Sequence, residues 1–370
     1  MCCICTYSRL EVSEFNKIWG RGFRLEQNIL FSSNQNGLAE ITLNRPKAIN
    51  SLTYDMLEPL KEKLIEWEKN PEIKVIILKG AGEKGFCAGG DMKTLYDAGQ
   101  NGDAIKKGDQ FFNLEYEVDQ LIYDFSKPIV ACLDGIVMGG GVGLAYGASH
   151  RIVTERTKWA MPEMNIGFFP DVGAAYFLNQ APGKIGRYLA LTSAVINGAE
   201  ALYIQAADYF LSQKNLSNFV EELKTTNWHP LPPEKTLEQL IDEYVSNPTD
   251  KGDLKGFQNE IDEHFRFDSI EEIVASLLNG TSPFASDTAK EISSKSPVSL
   301  KVTLKQLIDG EGKSLSECLD TDLVIAKNFM THDDFFEGVR SVLIDKDHTP
   351  VYEYNNINDV PEELVNQFFK

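Results

Sequence analysis

Hydrophobic and polar residues alternate over residues 38–44, in the sequence LAEITLN, with the period of a half-buried β-strand. Apolar residues then recur at helical spacing, at Leu57, Leu60, Leu64 and Trp67. This spacing predicts a helix within TYDMLEPLKEKLIEWEKNP that stops at Asn70-Pro71. The first elements predicted in this way are therefore a strand and an amphipathic helix.

Short apolar runs followed by glycine-rich turns recur further along the chain. KVIILKG runs into AGEKGFCAGGD, and SKPIVACLDG runs into IVMGGGVGLAYGA, with a predicted helix over 103–125 between the two. RIVTERTKWAMPEM then reads as one or two further strands. A repeated unit of strand, glycine-rich turn and helix predicts an α/β fold whose sites lie at strand ends.

The amino-acid composition of the sequence changes near residue 211. Residues 214–290 are polar and acidic, with helical stretches such as KTLEQLIDEYV and DSIEEIVASLL. KSPVSLKVTLKQLIDG and LDTDLVIAKNFMTHDDFFEGVRSVLIDKD read as two amphipathic helices. We therefore divide the chain into a disordered tail (1–26), a core that carries the site (27–210), an acidic helical insertion (211–290) and C-terminal helices (291–370).

The charge balance excludes some classes of partner. The chain holds 36 basic and 55 acidic residues, a net charge of −19, which disfavours binding to nucleic acid or to an anionic membrane. Its six cysteines do not form a disulfide framework, which favours a reducing compartment. Cys2, Cys3 and Cys5 have no further ligands at matching spacing, so we interpret them as part of the tail rather than as a metal site.

The two glycine-rich turns FCAGGD (86–91) and VMGGGVG (137–143) are the first candidate site. Glycines let the backbone approach a ligand closely, and N–H groups at a helix start are unpaired. Two such N–H groups facing one point would form an oxyanion hole. Tight packing of helix on strand is the alternative explanation, but the acids downstream favour a site.

The segment MPEMNIGFFPDVG holds the second candidate, two carboxylates in otherwise apolar surroundings. Glu163 and Asp171 would be costly to bury unless they are paired or used. The structural alternative is a salt-bridged Glu163 and an Asp171 that caps the helix VGAAYFLNQ. The chemical alternative is a carboxylate beside an oxyanion hole, which can attack a carbonyl or activate water.

The sequence lacks the motifs that are typical of several other kinds of catalytic or binding site. The sequence has no G-x-S-x-G nucleophile turn, no H-E-x-x-H zinc motif, and neither of the common glycine-rich nucleotide motifs. We therefore expect neither a resident metal nor a cofactor.

Four motifs, in this order and spacing, resemble the crotonase (enoyl-CoA hydratase/isomerase) superfamily: LNRPKAINSLTYDML, FCAGGDMK, MGGGVGLA and MPEMNIGFFPDVG. Within this superfamily the chain is similar to hydrolases of 3-hydroxyisobutyryl-CoA. The motifs that carry this similarity are GFFPDVG, FFNLEY, SPVSLKVTLKQL and FFEGVRSVLIDKD. The resemblance covers roughly residues 27–350 and is weakest between about 211 and 290. It implies a spiral of ββα turns with a C-terminal helical region, and hydrolysis of a short branched 3-hydroxyacyl-CoA in valine catabolism.

The resemblance also implies roles for individual residues. The N–H groups of Gly90 and Gly140 would form the oxyanion hole, Glu163 and Asp171 would be the catalytic acids, and Glu115 would line the substrate pocket. Hydratases of the superfamily carry a glutamate at the position of Gly143, so its absence counts against hydration. Departures from the hydrolase pattern at Met164, Ala174 and Ala175 lead us to expect a narrowed acyl pocket.

The remaining expectations concern partners and location. Coenzyme A enters as part of the substrate, and Lys47 and Lys93 are candidates to bind its phosphates, although both could equally be ordinary solvated lysines. The compartment would be the cytoplasm of a bacterium or the mitochondrial matrix of a eukaryote, and the oligomeric state, from monomer to trimer or hexamer, stays open. Two alternatives also remain: an enoyl-CoA hydratase or isomerase, and a ribosome-associated structural homologue.

Overall fold

The computed structural model describes residues 27–370. The predicted tail, with its three cysteines, lies outside the described residues. Ten strands form two sheets: β1 (Ile29–Ser33), β2 (Leu38–Leu43), β3 (Val75–Gly80), β4 (Gly85–Cys87), β5 (Ile129–Leu133), β6 (Ile136–Met138), β7 (His150–Val153), β8 (Lys158–Ala160), β9 (Ile196–Asn197) and β10 (Tyr209–Phe210).

Successive strand pairs are divided between the two sheets. The six-stranded sheet has the order β1-β2-β3-β5-β7-β10, and the four-stranded sheet has the order β4-β6-β8-β9. Each of the pairs β3/β4, β5/β6 and β7/β8 therefore places its first strand in the large sheet and its second in the small one. Pairing is parallel except between β1 and β2 and between β8 and β9. This is the predicted spiral of ββα turns.

The first six helices surround this spiral. They are α1 (Tyr54–Lys69), α2 (Met92–Gln100), α3 (Ala104–Tyr123), α4 (Gly140–Tyr146), α5 (Ala174–Leu178) and α6 (Ile185–Thr192). The helix predicted within TYDMLEPLKEKLIEWEKNP and the helix predicted over 103–125 are confirmed as α1 and α3. Leu57, Leu60 and Leu64 are fully buried in α1, as their spacing predicted.

The large sheet is buried on both faces. Alternate residues of β3 point to opposite sides, so Ile76 and Leu78 join the main core while Val75 and Ile77 join a second, smaller core. Helices α8 (Gln213–Thr225) and α9 (Pro233–Tyr244) complete that second core; α7 (Gly198–Tyr203) precedes them. The first two helices of the polar, acidic part of the sequence thus cover one face of the sheet.

The remaining helices extend the main core. They are α10 (Gln258–His264), α11 (Ile270–Asn279), α12 (Pro283–Ser293), α13 (Pro297–Asp309), α14 (Leu315–Phe329), α15 (Asp333–Val339) and α16 (Glu362–Gln367), with a π-helical turn at Arg340–Ile344. The prediction of one long helix from Leu319 onward is wrong, because the chain breaks at His332, whose ring nitrogen accepts from the Asp334 amide and starts α15. None of the helices in residues 27–370 is both long and apolar enough to cross a membrane.

Candidate active site

The two glycine-rich turns meet because their strands are neighbours. β4 and β6 pair in parallel, so Ala88–Gly90 and Gly139–Gly140 leave the sheet at the same edge. Gly89 and Gly139 have φ angles of +98° and +51°, which favour glycine. A side-chain carbon added at Gly89 would lie 3.4 Å from the Gly140 amide nitrogen.

Two main-chain N–H groups at these turns are unused. Leu52 bonds the backbone on either side of Gly90, through the Gly89 carbonyl and the Asp91 amide, but not Gly90 itself. Gly140 is the first residue of α4 and has no intrahelical acceptor. Within residues 27–370, neither the Gly90 nor the Gly140 N–H group donates a hydrogen bond, so both are available to a ligand.

Three of the predicted carboxyl groups lie around these turns. Glu163 begins a 3-10 turn (Glu163–Ile166), Asp171 precedes α5, and Glu115 lies on α3. A side chain at Gly139 would collide with the Glu163 carboxyl, and one at Gly140 with the Glu115 carboxyl. The glycines therefore make room for the acids as well as for a ligand.

The structural alternative for the two acids is wrong. Glu163 forms no salt bridge with another described residue, and α5 has Gly173 at its N-cap, with no side chain capping it. The Asp171 carboxylate instead accepts a hydrogen bond of 2.7 Å from the Tyr116 hydroxyl. One carboxyl oxygen of Glu163 and one of Glu115 have no hydrogen-bond partner in the described chain.

Burial raises the pKa of each of these acids. Glu163 and Glu115 are only 8% and 1% exposed, and the pKa of each lies well above its usual value, first because of burial and then because of the Asp171 charge. Burial raises the pKa of Asp171 to about 7, opposed by the Tyr116 hydrogen bond. Near neutral pH the cluster therefore holds protons that exposed carboxylates would have lost.

Sequence reasoning missed a fourth buried acid, Asp119. It lies one helical turn after Glu115, is 2% exposed, and neither of its carboxyl oxygens has a partner in the described chain. A side-chain carbon at Gly143 would lie 2.7 Å from one of those oxygens. Its i, i+4 spacing from Glu115 on the predicted helix was the available signal.

The glycine turns and the acids enclose one cavity of about 180 Å³. It is lined by Gly90, Gly140, Glu115, Glu163 and Asp171, with a wall that includes Phe168 and, from the π-helical turn, Val342 and Leu343. The volume suits a small acyl group rather than a whole coenzyme. All five residues predicted for the oxyanion hole and the acids therefore line one cavity.

Other predicted residues lie elsewhere. Lys47 and Lys93 are exposed and line no part of this cavity. Met164 turns away from it and accepts a hydrogen bond from the Thr303 hydroxyl, while Ala175 lies beside Gly310. The expectation that Met164, Ala174 and Ala175 narrow the pocket is wrong, because none of the three lines it. Residues 27–370 contain no cluster of histidine, cysteine and acidic side chains suited to a metal ion.

Comparison with known proteins assigns the chain to a family that agrees with this fold and site. A sequence model of the enoyl-CoA hydratase/isomerase family matches residues 38–369, and the chain belongs to that family. Two solved structures share the fold over almost the whole chain. A carnitinyl-CoA dehydratase from Mycobacterium thermoresistibile is 32% identical with a TM-score of 0.84, covering 93% of this chain and 96% of that one. An enoyl-CoA hydratase from Rhodobacter sphaeroides is 33% identical with a TM-score of 0.83, covering 92% and 97%.

The names of curated relatives are more specific than the description of the family. The mitochondrial 3-hydroxyisobutyryl-CoA hydrolase of Gallus gallus is 39% identical over 91% of this chain and 87% of its own length. The human protein of that name is 38% identical over 89% and 85%. The small ribosomal subunit protein mS47 of Neurospora crassa is 39% identical over 86% of this chain but 66% of its own length.

Proposed function

We propose that this chain hydrolyses the thioester of a short branched 3-hydroxyacyl-CoA, with 3-hydroxyisobutyryl-CoA as substrate and 3-hydroxyisobutyrate and coenzyme A as products. The observation that carries the proposal is the meeting of two unused main-chain N–H groups and three buried carboxyl groups at one small cavity. The names of the curated relatives support the choice of acyl group.

The Gly90 and Gly140 N–H groups receive the thioester carbonyl oxygen. When a nucleophile adds to the carbonyl carbon, that oxygen becomes negative and the two donors stabilise it. One such donor typically contributes about 3–4 kcal/mol to the transition state. The surrounding apolar wall excludes water and so strengthens these interactions.

Glu163 supplies the nucleophile, either by adding to the carbonyl itself or by removing a proton from the water that adds. A carboxylate whose pKa is raised by burial is a stronger base than an exposed one, which suits proton removal near neutral pH. If water adds, collapse of the tetrahedral intermediate breaks the carbon–sulfur bond, and Glu163 returns the proton to the leaving sulfur. If Glu163 itself adds, the sulfur leaves as a thiolate, and a water then hydrolyses the mixed anhydride between the acyl group and Glu163 and supplies the proton that the thiolate takes up. The net change consumes one water and yields an acid and a thiol.

Asp171 and Glu115 recognise the acyl group and share the protons of the site. Both lie at the same cavity as Glu163, and the Asp171 charge raises the pKa of the other two acids. An acid that stays protonated can donate to the 3-hydroxyl oxygen, and an ionised one can accept from it. Lys47 and Lys93 are left as candidates for the coenzyme phosphates. No metal or other cofactor takes part.

The alternative of enoyl-CoA hydration is weakened by the surroundings of Gly143. A side-chain carbon at Gly143 would lie 2.6 Å from the Val172 Cβ and 2.7 Å from a carboxyl oxygen of Asp119, which leaves no room there for a longer acidic side chain. The relative named as a ribosomal protein is longer than this chain. No feature of the site supports the alternative of a ribosome-associated structural role. We place the enzyme in the mitochondrial matrix if its source is a eukaryote, and in the cytoplasm if it is a bacterium.

The experiment that tests the proposal is a thiol-release assay with a panel of acyl-CoAs. We expect 3-hydroxyisobutyryl-CoA to release free coenzyme A with a higher kcat/KM than its analogue without the hydroxyl. Two results together would contradict hydrolysis and favour hydration. They are a loss of the crotonyl-CoA absorbance without thiol release, and the absence of thiol release from every hydroxyacyl-CoA in the panel.

A further inference from the structure

The backbone that carries Asp171 is strained. Val172 follows it with a φ of +52°, in the left-handed region, and Gly173 continues that turn at +81°. A β-branched residue is rarely found there, because its Cβ meets the backbone. Such strain persists only where surrounding contacts hold the conformation in place.

Two buried side chains hold the backbone on both sides of Asp171. The side-chain amide of Gln306, on α13, donates to the carbonyl oxygen of Pro170 at 2.9 Å. The carboxyl group of Asp322, on α14, accepts from the Gly173 N–H group at 2.8 Å. The Gln306 amide also donates to the other Asp322 oxygen at 2.7 Å, so the two side chains act as one unit.

Their burial makes the arrangement rigid. Gln306 is 1% exposed and Asp322 is fully buried, so neither can exchange these bonds for water. Burial raises the pKa of Asp322 to about 8, while the Gly173 and Gln306 N–H groups oppose that rise. Neither side chain lines the cavity that holds Glu163, so neither touches the substrate.

We propose that Gln306 and Asp322 are positioning residues, which hold the left-handed turn at Val172–Gly173 and thereby fix the Asp171 carboxyl in the active site. The inference rests on the proposed hydrolase function for its kinetic readout. It gives the motif SPVSLKVTLKQL a role, because Gln306 belongs to it. Without the pair, Val172 is expected to relax toward negative φ and carry Asp171 away from Glu163.

The test compares near-isosteric substitutions. Gln306→Met removes both donated hydrogen bonds, and Asp322→Asn turns one acceptor into a donor that faces the Gln306 amide. Ser299→Ala is the matched control, because Ser299 is also fully buried on α13 and its hydroxyl has no partner in the described chain. We expect Q306M and D322N to lower kcat by about 10- to 100-fold with a smaller change in KM, and S299A to leave both unchanged.

A strain-relief variant separates positioning from general destabilisation. Glycine adopts the left-handed conformation without cost, so Val172→Gly removes the tendency of the turn to relax. We expect V172G to restore kcat of Q306M by about fivefold, although it also removes a buried side chain and lowers the melting temperature. A double variant no more active than Q306M would contradict the inference. If Q306M does not fold, the double variant should regain folded protein, and no recovery would contradict it equally.

Hydrogen exchange provides a readout that needs no substrate. The Gly173 amide should exchange markedly faster in Q306M and D322N than in the wild type or S299A. Unchanged exchange at Gly173 would overturn the positioning role, whatever the activity. If the wild type releases no coenzyme A while Gly173 exchange responds as expected, the proposed function fails and the positioning role stands.

Discussion

The carboxyl group of Glu115 occupies the space that the first side-chain carbon of any residue in place of Gly140 would need. Position 140 is therefore constrained twice, because its N–H group faces the cavity and its missing side chain admits the acid. The same relationship joins Glu163 to Gly139. The glycine-rich turn is thus shaped by the carboxyl groups as much as by the ligand.

We predict that Gly140→Ala will lower kcat/KM by at least about 100-fold, because the new methyl group displaces Glu115 and shifts the N–H donor. Gly256→Ala, in an exposed turn, is the control and should leave kcat/KM unchanged. Because Glu115 also recognises the acyl group, Glu115→Ala should lower kcat/KM by itself, but the loss in the double variant should be smaller than the two single losses combined if crowding is the cause. A fully active G140A enzyme would remove Gly140 from the oxyanion hole.

We predict that the free energy of unfolding falls as pH rises from about 4 to 7. Asp171 has a folded pKa raised to about 7, so in this range the folded state binds its proton more tightly than the unfolded chain does. One such group changes the stability by about 1.4 kcal/mol per pH unit. The measurement is urea unfolding of the wild type and Asp171→Asn between pH 4 and 8. The free energy of unfolding should fall more steeply with pH in the wild type than in Asp171→Asn. Equal slopes for the two proteins would contradict the prediction.

Asp119, the acid that sequence reasoning missed, should share the pH-dependent effect of Asp171 on stability but contribute little to turnover. Burial, followed by the charge of Asp171, raises the pKa of Asp119 well above its usual value, so ionising it in the fold is unfavourable. Asp119→Asn should therefore stabilise the protein relative to wild type increasingly as pH rises from 5 to 8. Because Asp119 does not line the cavity, kcat should stay within about threefold of wild type. A collapse of kcat would instead assign Asp119 to the chemistry.

The wall formed by the π-helical turn should set the size of the acyl group. Val342 and Leu343 line the same cavity as the glycine turns. Val342→Ala should raise kcat/KM for a substrate with one or two extra methylene groups relative to the natural one by about tenfold. The measurement is a competition between the two thioesters. Val351→Ala, at an exposed position, is the control. An unchanged ratio would place the acyl chain elsewhere.

The resemblance carried by short local motifs was sufficient to expect the spiral and five of the residues that line the cavity, since strand ends, glycine turns and acids lie in those motifs. It was insufficient for contacts between distant segments. Asp171 fits the local pattern of a helix cap, and only the fold shows Tyr116, 55 positions away in sequence, holding its carboxylate. The pairing of Gln306 and Asp322 with the backbone around Asp171 likewise depends on tertiary packing.

The central claim is that the Glu163 carboxyl meets a thioester carbonyl held by Gly90 and Gly140, and Glu163→Gln tests it most directly. The substitution preserves size and removes the ability to act as base or nucleophile. Glu117→Gln, on the exposed side of α3, serves as the control. The measurement is coenzyme A release from 3-hydroxyisobutyryl-CoA at pH 8. The account predicts a loss of kcat of at least about 1,000-fold with folding retained, whereas turnover near the wild-type rate would contradict it.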